Sequence, residues 1–103
     1  MAIEVRLRDW AWAEIASVID SALALIFALG EDTSRYRLLK YVDPYGRTIF
    51  NRSQMDDLLS DLVIRYESLQ PSDDDGREVI RKVVELATIC KETTDRFLDF
   101  EGD

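Results

Sequence analysis

Residues 2–8, AIEVRLR, alternate strictly: Ile3, Val5 and Leu7 fall on one side, Glu4, Arg6 and Arg8 on the other. Period two with one apolar side predicts a half-buried strand. Asp9 follows as a helix cap, and Trp12, Ile15, Val18, Ile19, Ala22, Ile26 and Leu29 then recur at helical spacing, predicting a helix from Trp10 to Leu29. Leu23, Leu25 and Phe27 lie off that stripe. A helix apolar nearly all round needs cover on more than one side, which predicts self-association through this first helix. Gly30 is placed as its stop, and a polar EDTS loop follows.

RYRLLKYV and RTIF flank Asp43-Pro44-Tyr45-Gly46, the turn chemistry of a β-hairpin. With Asn51 as N-cap, Gln54 completes a capping box, and Phe50 and Met55 occupy the two positions of a hydrophobic staple. The helix so started carries one stripe, Met55, Leu58, Leu59, Leu62, Val63, Tyr66 and Leu69, and ends before Pro71. Asp75 and Glu78 read as the capping box of a third helix running to about Thr94, with Val79, Ile80, Val83, Ala87 and Cys90 inward. Its outer side offers Glu78–Lys82 and Arg81–Glu85 pairs. RFLDF closes the chain as a strand, Leu98 and Phe100 facing one way, Phe97 and Asp99 the other.

The predicted order is β-α-β-β-α-α-β: one α+β domain spanning residues 1–103, a small four-stranded sheet with three helices packed mainly on one face. Length and charge narrow its work. A chain of 103 residues is long enough for one core. A net charge of −8 opposes phosphate backbones and favours basic protein partners, so no nucleic acid is expected. No apolar run reaches the roughly 20 residues of a membrane span, and residues 1–8 lack the make-up of a signal peptide. The expected location is the cytoplasm, which the single cysteine also fits.

There is no histidine, which removes the usual base near neutrality, the Ser-His and Cys-His nucleophile systems and His-containing metal sites. Cys90, in an apolar helical stretch, reads as a buried thiol. Asp73-Asp74-Asp75-Gly76 suggests a calcium loop only until the register is tested, which puts Pro71 and Lys82 at ligand positions. No phosphate loop or nucleophile motif is present. The chain is therefore expected to be non-catalytic, without cofactor or metal. The function expected is that of a small acidic protein-binding domain, such as the immunity partner of a basic toxin; the alternative is a structural or regulatory homodimer. From Pro71 on there are ten acidic residues against five basic ones, so partner contacts are placed at Asp73 and Asp74 and at the acidic start of the second helix, Asp56, Asp57 and Asp61. Asp61 is also placed to pair with Arg65.

YVDPYGRTIFNRSQM and the ending RFLDFEGD resemble a set of small bacterial proteins. These carry an [F/Y]-[I/V]-D-P-Y-G-D-T-x-F-N-x-x-Q pattern, two helices, and an aromatic-rich strand ending in Gly-Asp. The resemblance implies the order of the later elements and no particular activity. Arg47 departs from it, standing where the pattern has Asp, and so does Ser53, where a bulkier residue is common.

Overall fold

A computed structural model describes residues 2–29 and 33–103. Gly30, the expected helix stop, and the first two residues of the EDTS loop lie outside the described residues. The elements run β1 (Ile3–Asp9), β2 (Glu14–Ile19), α1 (Ala22–Ile26), β3 (Arg47–Asn51), α2 (Met55–Ser68), α3 (Asp74–Glu92) and β4 (Arg96–Gly102). The strands form one antiparallel sheet in the order β2-β1-β4-β3. The α+β class with four strands and three helices is the one the pattern predicts.

Period two on the strands decides which face is covered. Val5 lies opposite Phe100 and Leu7 opposite Leu98 across the β1–β4 ladder, and Phe50 lies opposite Leu98 on the other flank. All five are buried, together with Leu58, Leu62, Val79, Val83 and Ala87 from the two long helices. Phe100 sits at the centre, with Phe27 and Phe50 meeting it edge-on at 5.2 and 5.6 Å between ring centres. Among the described residues no helix lies against the opposite face of the sheet.

The local signals around α2 act as read. Asn51 and Gln54 close the capping box, Gln54 Oε1 accepting from the Asn51 N–H at 2.9 Å, and Phe50 and Met55 are both buried. The cap of α3 lies two residues earlier than expected, at Asp73, whose Oδ1 accepts from the Gly76 N–H at 2.9 Å. Arg81 turns back to Glu78 instead of reaching Glu85, and Arg77 pairs with Asp74.

Two segments differ from the sequence expectation. The stretch read as one helix from Trp10 to Leu29 is divided. Asp9 caps a tight turn instead of a helix, accepting from the Ala13 N–H on its side chain at 3.0 Å, and the chain doubles back as β2. Ala16 and Val18 then face the core opposite Leu7 and Val5. Ile15, Val18 and Ile19 are β-branched, and a run this short satisfies both periods. Leu23, Ala24, Ile26 and Phe27 are buried within the chain, and Leu25 (76% exposed) is the large residue of α1 left in water, while Ile15 and Ile19 stand exposed on β2. Most of the cover that α1 itself needs is thus supplied within the chain.

The second difference lies at residues 35–42, read as a hairpin strand. It holds a 3-10 turn, Leu39–Tyr41, with Tyr36, Leu39 and Val42 buried at spacing three. The Asp43-Pro44-Tyr45-Gly46 turn itself forms, the Tyr45 N–H donating to Asp43 Oδ1 at 2.9 Å. It packs directly on the chain's end: the Gly102 N–H donates to Gly46 O at 2.6 Å, and a Cβ at Gly102 would lie 2.2 Å from Pro44 O. The two sequence marks that carry the resemblance therefore meet in space. Among the described residues no helix is long and apolar enough to cross a membrane.

Candidate functional site on the uncovered sheet face

The acidic residues proposed from sequence do not form one patch. α2 and α3 are antiparallel: Lys91, at the end of α3, pairs with Asp56 at the start of α2 at 2.7 Å. Asp56 and Asp57 thus sit at one end of the helical layer and Asp73 and Asp74 at the other, separated by the length of α2, about 20 Å at 1.5 Å per residue. Each is also engaged: Asp57 with Arg37 at 3.0 Å, Asp74 with Arg77 at 2.7 Å, and Asp73 as a cap. Asp61 is not a surface residue. It is buried and accepts the backbone N–H groups of Arg37, Leu38 and Leu39 at 3.1, 2.7 and 3.0 Å. Its expected partner Arg65 instead donates to the carbonyls of Ile26 and Leu25, at the end of α1.

Side chains of three strands converge on the uncovered sheet face. β1 contributes Glu4, Arg6 and Arg8, β4 contributes Phe97, Asp99 and Glu101, and β3 contributes Arg47 and Ile49. Arg8 holds Asp99 Oδ2 at 2.9 Å and Glu101 Oε1 at 3.1 Å. Arg47 reaches the same Glu101 oxygen at 2.5 Å and stands 3.4 Å from Asp99 Oδ1. Arg6 bonds Glu101 Oε2 at 3.0 Å and Glu14 at 2.5 Å, and also pairs with Glu4. An aspartate at position 47 would face Glu101 across the ladder; Arg47 is opposite to it in charge and pairs with it.

Trp12 lies over this network. Its backbone has φ 67°, a left-handed conformation unusual for a bulky side chain. The turn from Asp9 to Ala13 imposes it, and Arg8 secures it by donating to Trp12 O at 3.1 Å. The indole is thereby placed 4.9 Å from the Arg8 guanidinium and 5.5 Å from that of Arg47, with Phe97 6.3 Å away. Asp99 beneath is fully buried, and its Oδ1 has no hydrogen-bond partner.

Burial, and then hydrogen bonding with Glu101, push the proton affinity of Asp99 up. Hydrogen bonding with Asp99, and then with Arg6, Arg47 and Arg8, holds Glu101 down at about 2. A split pair of carboxylates can serve acid–base chemistry, but here Asp99 lies beneath arginine and indole, and Glu101 is too weak a base to take a proton near neutrality. Cys90 supplies no nucleophile either: it is buried, and burial raises its thiol to about 11. No cluster of three potential metal-ligating side chains occurs among the described residues.

The depressed Glu101 makes stability depend on acid. Its contribution is fully present above the ordinary value of 4.5 and is lost as pH falls towards about 2. Asp99 acts in the opposite sense, favouring the folded state as it takes up its proton. Glu101→Gln should therefore lower stability at pH 7 by about 2 kcal/mol, allowing for solvent screening of a partly exposed carboxylate. The gap to the native chain should close as pH falls from 4.5 to 2. Urea unfolding across that range checks it, and a pH-independent gap would mean that packing, not charge, is what Glu101 supplies.

Alternation on β1 and β4 already puts Arg6, Arg8 and Asp99 on polar sides of their strands. What the sequence does not signal is that β1, β4 and β3 are neighbours, or that Trp12 folds over them. No family model, curated protein or solved structure matches this chain.

Proposed function

We propose that the chain is a non-catalytic protein-binding domain of the cytoplasm that presents its uncovered sheet face to a basic partner protein, as an immunity protein does to a toxin. The observation that carries this reading is the fixed charge network on that face. Its arginines and carboxylates hold one another in place, so engaging a partner costs little side-chain entropy. Tryptophan and arginine beside exposed aliphatic residues such as Ile49 are also the composition of interface anchors. Four carboxylates face three guanidiniums, a balance that suits donor-rich, basic side chains. The net charge of −8 steers such a partner from a distance.

The test is affinity capture from the native host with three surface variants. Trp12→Ala and Ile49→Lys should each weaken retention of the partner by about tenfold or more, while Asp74→Lys, on the helical layer, should leave it unchanged. Retention lost with Asp74→Lys and kept with the other two would move the site to the helices and overturn the reading. So would a native chain that retains no protein.

A further inference from the structure

We propose that β2 is a dimerisation strand, pairing antiparallel with β2 of a second copy across a two-fold axis at Ser17 to give a continuous eight-stranded sheet. This inference is independent of the function proposed above: it rests on the backbone of the β2 edge, whereas that function is tested at Trp12 and Ile49.

The two edges of the sheet differ. β3 is five residues long, carries Arg47 and Asn51, and has the 41–43 segment bound to it through Thr48, whose Oγ accepts from the Asp43 N–H at 3.0 Å. Short length, charge and a covering loop are the usual protections of an edge. β2, EIASVI, has no covering loop among the described residues, and although its ladder with β1 shifts at Ile15, Ala16–Ile19 run regularly. Among the described residues it pairs only with β1, and no other segment bonds to its backbone. It contains no proline and no basic residue, and its one charge, Glu14, is already held by Arg6. Such an edge is a template for another strand.

The occupant follows from the side chains. Residues directly opposite each other in an antiparallel pair share a face of the sheet. With Ser17 on the two-fold axis, Ile15 of one copy meets Ile19 of the other, twice, on the uncovered face. Ala16 meets Val18, twice, on the helix face. Apart from the central Ser17–Ser17 pair, every pair is apolar with apolar, and Glu14 falls outside the paired residues. Ile15 and Ile19, 47% and 62% exposed in the single chain, gain cover that nothing else provides. An isologous contact must be self-complementary in this way, and a foreign strand would need to match the same pattern by chance. The pairing is short, well under a standard interface of about 800 Å² per partner, so the dimer forms reversibly at micromolar concentrations.

The register makes the test specific. Sedimentation equilibrium of the native chain should give about twice 11.9 kDa at high concentration. Ile15→Lys/Ile19→Lys places lysine opposite lysine and should leave a folded monomer, folding being checked by circular dichroism. Ile15→Lys/Ile19→Glu carries equally polar changes but places lysine opposite glutamate, so it should dimerise again. A native chain that stays monomeric up to about 1 mM overturns the proposal. So does a dimer indifferent to the double lysine variant, or a lysine–glutamate variant no more dimeric than it.

Discussion

Asp61→Ala should cost about 3–5 kcal/mol, a large share of the 5–15 kcal/mol typical of a domain. The carboxylate is buried at the middle of α2 and accepts three consecutive N–H groups, from Arg37, Leu38 and Leu39. Consecutive N–H groups aimed at one anion cannot also serve a strand ladder, which explains why 35–42 is a turn. Alanine would strand those donors against the core that Tyr36 and Leu39 help to form. Asp61→Asn should cost less, about 1–2 kcal/mol, because an amide oxygen at the Oδ2 position keeps the bonds from Leu38 and Leu39. Urea denaturation orders the three chains. An alanine cost under about 1 kcal/mol would show that burial of Tyr36 and Leu39 holds the turn without the anion.

Arg8→Ala is expected to cost about 3 kcal/mol, because it leaves Asp99 as a buried charge with only Arg47 near, at 3.4 Å. It also frees Trp12 from the bond that secures its left-handed backbone. The informative measurement is the second substitution. Removing one member of a buried ion pair is worse than replacing both by apolar groups, so Arg8→Ala/Asp99→Leu should regain more than half of what Arg8→Ala lost. If the double variant is no more stable than the single one, the cost lies in lost packing of the Arg8 stem on Trp12, and the ion pair is not what holds this face.

The parts of the fold legible in the sequence are those with local causes. β1 shows in the alternation of Ile3, Val5 and Leu7. α2 shows in Asn51, Gln54 and the apolar stripe from Met55, and β4 in the opposed sides of Phe97–Asp99 and Leu98–Phe100. Each depends on residues within a few positions of one another, where period and capping chemistry are decided. Residues 10–29 were ambiguous because a short apolar run fits both periods; the tie is broken by β1, which needs a partner for Val5 and Leu7. Asp61 could not be told from its neighbours Asp56, exposed, and Asp57, half-buried, since its burial comes from the 37–39 turn folding back across 22 to 24 residues. The candidate site is the most remote of all. Arg8 and Asp99, 91 positions apart, meet only because β1 and β4 are adjacent in the sheet. Alternation tells each strand which side faces water. Only the packed sheet decides which strands lie side by side, and so which of those charges can pair.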